Sequence, residues 1–139
     1  MKHEELTQAI IGCAFEVINE LGSGFLESVY QNAMCVALRQ KGLTVMPQHP
    51  IAVYFRGEPV GDFFADLFVE NLVVVELKAV KAIVPEHQAQ VINYLIATRI
   101  DVGLLINFGN PKLEYERFMR RINKDIQDGQ DGIQNDPAL

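Results

Sequence analysis

This sequence of 139 residues lacks several features that identify a common structural class directly. It contains no tryptophan and only two cysteines, Cys13 and Cys35, which are not in Cys-x-x-Cys spacing. Both lie in apolar patterns of helical period, so we expect buried free thiols and neither zinc ligands nor a disulfide. A reducing cytosol is the simplest compartment for such a chain.

Long apolar runs are also absent. No stretch approaches the roughly 20 residues of a membrane span. The polar, acidic start of the chain, Met1–Glu5, lacks the basic and apolar regions of a signal peptide. We therefore expect no membrane partner. Hydrophobic residues still make up 49% of the sequence, which favours one globular domain with a proper core.

Positive charge is scarce, and the formal net charge is −6. We predict a single domain over residues 1–122 and a polar, disordered tail over 123–139, where one lysine and four aspartates occur. A basic cluster is found only at Arg117, Arg120 and Arg121, and a solvated rim is the simplest interpretation of it. Tight non-specific binding to a phosphate backbone is not expected.

The chain does contain two strongly apolar segments, residues 63–69 and 72–80, separated by the polar pair Glu70-Asn71. Both segments are rich in β-branched and aromatic residues, which predicts two adjacent antiparallel strands joined by a tight turn. The second segment is almost entirely apolar, as is typical of a strand covered on both faces. We expect it to be the central strand of a sheet.

Charged side chains interrupt this apolar pair at Asp66, Glu76 and Lys78. Because side chains alternate along a strand, Glu76 and Lys78 are expected on the same face. One interpretation is a structural ion pair between them at the sheet rim, with Asp66 emerging into solvent. The other is a functional site, because charge in apolar surroundings is costly unless it is paired or binds a metal. The residues alone leave these two interpretations about even.

Two amphipathic helices are predicted before the strands, over residues 3–20 and 24–41. Gly22 is a natural stop for the first helix, and Ser23 is expected to cap the second. Gly22 and Gly24 are expected to let this loop approach the sheet closely. The expected apolar side of the second helix consists of Leu26, Val29, Ala33, Val36 and Ala37.

The rest of the chain predicts strands at 43–46, 51–56, 60–69, 102–108 and 113–119, and a helix at 85–97. Pro47 and Pro50 confine the link between the first two strands to an edge or a bend. Pro85 suits the first position of the helix. A helical crossover should make strand 102–108 parallel to the central strand. The order predicts an α/β sandwich in which helices flank a mixed sheet.

Several motifs in this order resemble those of the PD-(D/E)XK nuclease superfamily: Asp66, then Glu76-Leu77-Lys78, then the helix bearing Gln90-Val91-Ile92-Asn93-Tyr94. The spacing of glutamine and tyrosine on that helix resembles the RecB-like branch. The stretch Gly24-Phe25-Leu26-Glu27-Ser28-Val29-Tyr30 is similar to the signature of the GxxExxY family of small bacterial and archaeal proteins. The resemblance covers about residues 5–120, with Ala65 where the superfamily name has proline.

The resemblance implies a restriction-endonuclease-like fold of order α-α-β-β-β-α-β-β and a metal-dependent nuclease acting on DNA or RNA. The catalytic residues it implies are Asp66, Glu76 and Lys78. Mg²⁺ or Mn²⁺ would be held by Glu27, Asp66 and Glu76, which offer the oxygen ligands that hard cations prefer. Residues expected behind the metal or against the substrate are Tyr30, Gln90 and Tyr94. Glu27 and Tyr30, one helical turn apart, are expected to share a face.

Two other functions remain open beside the nuclease. The acidic charge favours either a non-catalytic binding or scaffold protein on the same fold, or a metal-dependent hydrolase of a small phosphorylated substrate. Nucleic acid is the expected partner under the nuclease hypothesis. A homo-oligomer is also left open.

Overall fold

The computed structural model of the protein describes residues 1–120. Its elements follow the predicted order: α1 (Glu4–Leu21), α2 (Glu27–Gln40), β1 (Val45–Phe55), β2 (Glu58–Val69), β3 (Val73–Lys78), α3 (Pro85–Thr98), β4 (Val102–Asn107) and β5 (Glu114–Met119). The five strands form one sheet in the order β1-β2-β3-β4-β5, in which β3 and β4 are parallel and the other neighbours antiparallel. The predicted α/β sandwich with a mixed sheet is confirmed. The predicted tail over 123–139 lies outside the described residues.

The central strand β3 is covered on both faces, which explains its nearly continuous apolar sequence. On one face, α1 and α2 pack against Val73, Val75 and Leu77. On the other face, Val74 packs with residues of β2. Beside it, α3 covers the same side of the sheet through Val91, which packs against residues of β4 and β5. The sheet therefore has helices on both faces, while the last residues of β1 and the first residues of β2 are exposed.

Helix α2 differs from its prediction in both its start and its buried face. Its N-cap is Leu26 and not Ser23, and no side chain caps it. Two residues of the expected apolar side are largely exposed, Leu26 at 77% and Val36 at 56%. The residues that the helix buries are Tyr30, Met34, Cys35 and Leu38. The prediction was wrong because apolar residues lie on more than one side of this helix, and packing against α1 and the sheet decides which of them are buried.

The loop between α1 and α2 also differs from its prediction. Gly22 does end α1, and its N–H donates to the Ile18 carbonyl. No atom lies within 4 Å of where a Cβ would stand on Gly22 or Gly24, so close approach to the sheet is not their role. Their φ values of +77° and +109° lie in a region that L side chains rarely adopt. These glycines are needed for the path of the backbone.

Strand β1 joins two predicted strands into one that runs through Pro47 and Pro50. Both prolines are tolerated because β1 is an edge strand, which leaves one side of its backbone without ladder partners. Pro47 pairs with Leu67 and His49 with Ala65, but the residue between them is left out of the register. That residue, Gln48, has φ +49°.

The two cysteines are free and buried, as predicted. Among the helices of residues 1–120, none has the length and apolar character needed to cross a membrane.

Candidate active site

Asp66 and Glu76 lie where β2 and β3 stop pairing. The last backbone pair in that direction is Leu67 with Val75, and the two acids come one residue further along each strand. Beyond this pair, hydrogen bonds from backbone N–H groups to the two carboxyl groups replace the backbone ladder. The Leu77 N–H donates to Asp66 Oδ2 at 2.8 Å, and the Asp66 N–H donates to Glu76 Oε2 at 3.4 Å. The hairpin register thus brings two carboxyl groups together at the point where the strands separate.

Glu76 has an unusual protonation equilibrium. Burial in the first place, and then the neighbouring charge of Asp66, raise the pKa of Glu76 to about 8, and Glu27 adds to the effect. Lys78 acts in the opposite direction, yet within residues 1–120 no ion pair under 4 Å joins it to Glu76. The alternative of a structural Glu76–Lys78 ion pair is therefore not supported. Two neighbouring carboxyl groups without a paired cation are costly to keep ionised together.

Glu27 reaches the same region from helix α2. It occupies the first position of that helix, where the positive end of the helix dipole favours an acid. A cavity of about 340 Å³ separates α2 from the sheet, and its lining consists of Glu27, Ser28, Gln31, Gln48, Asp66 and Leu77. The charge of Glu27 is also close enough to Glu76 to contribute to raising its pKa. Glu27 and Asp66 thus line one cavity, and Glu76 lies next to Asp66.

Tyr30 is fully buried and turned away from this cavity. Its hydroxyl donates to the Gly22 carbonyl at 2.6 Å and accepts from the Phe25 N–H at 3.2 Å. Its ring stacks on Phe108 with centroids 4.5 Å apart. Tyr30 and Glu27 therefore do not share a face, because one enters the core and the other lines the cavity. Tyr30 holds the loop that precedes α2, so it affects the site indirectly, through the position of that helix and of Glu27.

Helix α3 contributes Tyr94 from the opposite side of the sheet. Its ring stacks on Phe63 of β2, with centroids 3.8 Å apart. Burial, followed by the charges of Glu76 and Asp66, raises the pKa of Tyr94. Such a phenol stays protonated at neutral pH and can donate a hydrogen bond. Gln90 lies one turn earlier on α3 and is exposed.

The donor atoms suit a hard divalent cation such as Mg²⁺ or Mn²⁺, because all of them are carboxylate oxygens. Asp66 and Glu76 offer such oxygens from adjacent strands, and Glu27 offers a third across the cavity. However, within residues 1–120 no group of three or more His, Cys, Asp or Glu side chains is arranged so as to hold a metal ion. The three predicted ligands offer the type of donor atom that the predicted metal prefers. In this structure they are not arranged around one point as a coordination shell requires.

Sequence reasoning missed two amides at the site. Gln48 Nε2 donates to Gln31 Oε1 at 2.7 Å and to Asp66 Oδ1 at 3.1 Å. Gln31 has a signal in the sequence, since it follows Glu27 by four residues on a helix and therefore shares its face. Gln48 has none, because its position depends on how the edge strand pairs with β2.

Comparison with known proteins assigns the chain to a superfamily. The chain matches the PD-(D/E)XK nuclease superfamily over residues 4–120. It therefore belongs to that superfamily and carries a PD-(D/E)XK nuclease-like domain. Nucleases of this superfamily generally use divalent metals.

A solved crystal structure, that of SSO0001, resembles this chain with a TM-score of 0.53 and 13% sequence identity. The match covers 89% of this chain and 62% of SSO0001, so the chain spans less than two thirds of that protein's length. At this identity the likeness bears on the fold alone. No curated protein matches the chain.

Proposed function

We propose that this protein is a divalent-metal-dependent nuclease that hydrolyses phosphodiester bonds of DNA or RNA. We further propose that it belongs to the GxxExxY family within the RecB-like branch of its superfamily. One observation carries the proposal: Asp66 and Glu76 meet where β2 and β3 separate, and Lys78 follows two residues later. A proton on Glu76, a residue of opposite charge or a bound cation relieves such a carboxyl pair, and no side-chain cation pairs with it within residues 1–120.

Asp66 and Glu76 are the proposed ligands of the cation, with Glu27 as the third acid. A bound Mg²⁺ or Mn²⁺ supplies a nucleophilic water near neutral pH and stabilises charge on the phosphate. The chain's part is to hold carboxylate oxygens at the strand separation and to keep Glu27 across the cavity from Asp66. Because Glu76 holds a proton up to a pH of about 8, cation binding must release that proton.

Lys78 is the proposed catalytic cation. Strand alternation puts its side chain on the same face of β3 as Glu76, and it is not committed to an ion pair within the described part of the chain. An ammonium group there can orient the attacking water or stabilise a phosphate oxygen. Tyr94 is proposed to donate a hydrogen bond beside the carboxyl groups, and exposed Gln90 to contact the substrate backbone.

The charge of the chain favours a second candidate, a hydrolase of a small phosphorylated substrate. Two arginines of the predicted basic cluster are used internally. Arg117 donates to Thr7 Oγ1 at 3.1 Å, and Arg120 pairs with Asp101 at 2.9 Å. The third, Arg121, lies outside the described residues. A small substrate needs less basic surface than a nucleic acid does.

One experiment separates these candidates. Purified protein is incubated with single- and double-stranded DNA, with RNA and with bis(p-nitrophenyl) phosphate, each in Mg²⁺, Mn²⁺ or EDTA. The nuclease proposal expects metal-dependent cleavage of nucleic acid that Asp66→Asn abolishes. The matched control is Asp62→Asn, which removes an exposed acid from the same strand and should leave cleavage unchanged.

Other outcomes contradict the proposal in distinguishable ways. Hydrolysis of the small diester alone supports the second candidate. Metal binding without any cleavage supports a non-catalytic scaffold. Cleavage that survives Asp66→Asn comes from a contaminant or from a different site.

A further inference from the structure

Gln48 has a backbone conformation that is unfavourable for its residue type. Its φ of +49° lies in the left-handed region, which glycine adopts freely and which side chains other than Asn and Asp usually avoid. It stands between Pro47 and Pro50 on the edge strand and is left out of the β1–β2 ladder. Had β1 continued regularly, Gln48 would pair with Asp66, because its neighbours pair with Leu67 and Ala65.

Gln48 is part of the candidate site. The Gln48 side chain lines the same cavity as Glu27 and Asp66. Its amide nitrogen bridges Gln31 Oε1 at 2.7 Å and Asp66 Oδ1 at 3.1 Å. Since Gln31 shares a helical face with Glu27, one side chain connects the helix that bears Glu27 to the carboxylate on β2.

The opposite oxygen of Asp66 is held as well, because Oδ2 accepts the Leu77 N–H at 2.8 Å. The Asp66 carboxylate is therefore fixed from two sides, by the backbone of β3 and by the Gln48 amide. Groups that hydrogen-bond to a metal-ligating carboxylate orient it, and their loss typically weakens metal binding about 10- to 100-fold.

We propose that Gln48 is a positioning residue of the site, which holds the Asp66 carboxylate and ties it to helix α2 through Gln31. Its role in metal binding rests on the proposed function, whereas its hold on Asp66 does not.

The test uses Gln48→Gly, which accepts the same backbone conformation without strain but removes the amide. The matched control is Arg99→Gly. Arg99 also has a left-handed backbone, with φ +64°, and lies at the exposed end of α3. Two readouts are compared in full-length protein: hydrogen exchange of the Leu77 amide without metal, and calorimetric affinity for Mn²⁺. Exchange of the Leu104 amide in the middle of β4 reports global unfolding.

We expect Gln48→Gly to melt within a few degrees of the wild type, to speed exchange at Leu77 but not at Leu104, and to weaken Mn²⁺ binding about 10- to 100-fold. Arg99→Gly should change neither readout. If Gln48→Gly does not fold, Gln48→Asn replaces it. Asparagine tolerates the left-handed region, but its side chain is one methylene too short for both contacts.

Unchanged exchange at Leu77, or equal acceleration at Leu77 and Leu104, overturns the proposal. Unchanged Mn²⁺ affinity overturns its role in metal binding. If the wild type binds no Mn²⁺, the proposed function fails, and the Leu77 exchange alone decides whether Gln48 holds Asp66.

Discussion

At the scale of single residues, the chemistry of this protein is concentrated on Glu76. Burial and the adjacent Asp66 raise its pKa to about 8, against an ordinary value of 4.5. A carboxyl group with this pKa is mostly neutral at pH 7 in the metal-free protein. Shifts of this size, caused by both burial and a specific charge partner, are more common at functional sites than elsewhere.

This shift predicts how stability depends on pH. The folded state holds the Glu76 proton more tightly than the unfolded state does, so the contribution is fully present below about pH 4.5 and is lost as the pH rises through about 8. One pKa unit corresponds to about 1.4 kcal/mol, so the loss is on the order of a few kcal/mol. Glu76→Gln cannot ionise and should lose less stability over this range. Melting temperatures of both metal-free proteins from pH 5 to pH 9 test this, and parallel curves would contradict it.

Lys78 carries a second prediction at this scale. If its ammonium acts on the water or the phosphate, Lys78→Met should lower turnover about 100-fold or more while metal affinity stays within a few-fold of the wild type. Lys81→Met removes an exposed lysine three residues later and serves as the control. Steady-state cleavage and Mn²⁺ calorimetry are the measurements. Full activity in a folded Lys78→Met protein would exclude a catalytic role.

At the scale of elements, the proposed metal site depends on the position of the N-terminus of α2. Tyr30 anchors the preceding loop by two hydrogen bonds, and the helix then starts with Glu27. The dipole of the helix alone can account for an acid in that position. A role in metal binding therefore has to be separated from a role in helix stability.

Two matched variants make that separation. Glu27→Gln and Glu86→Gln each remove an acid from the first turn of a helix, α2 and α3 respectively. Both should destabilise the protein by a few tenths of a kcal/mol up to about 1 kcal/mol. Only Glu27→Gln should also weaken Mn²⁺ binding, by about 10-fold. Should the two variants bind Mn²⁺ equally well, Glu27 is a helix-end residue and not a ligand.

The elements themselves follow the sequence closely where local patterns determine them. Pro85 opens α3 as predicted, and the helix between β3 and β4 makes those strands parallel. The buried face of α2 could not be predicted in the same way. Val36 and Met34 are both apolar, and only packing against α1 and the sheet determines that Met34 is buried and Val36 is not.

At the scale of the whole molecule, the negative charge and the proposed metal site have to be considered together. Glu27 and Asp66 around one cavity, with Glu76 next to Asp66, would repel a phosphate when ionised, and a bound divalent cation would reverse the local sign. Binding of that cation to the folded state alone should stabilise the whole domain. At a concentration 100 times its dissociation constant, a ligand contributes about 2.7 kcal/mol.

Millimolar Mn²⁺ should therefore raise the melting temperature by several degrees. The double change Asp66→Asn, Glu76→Gln should abolish this shift, while Asp62→Asn should keep it. Differential scanning calorimetry with and without EDTA measures the effect. An identical shift in the double variant would mean that Mn²⁺ binds elsewhere on the protein.

By itself, the sequence determined the order of the elements and the central strand. Both depend on local information, namely apolar periodicity and turn residues. The register that sets Asp66 beside Glu76 was decided by the tertiary structure, because Val69 pairs with Val73 and not with Leu72 as the predicted turn would require. Only the tertiary structure decided that Tyr30 turns into the core and that Gln48 contacts Asp66. These positions depend on which side chains pack together in the folded chain, and residues adjacent in the sequence do not determine that packing.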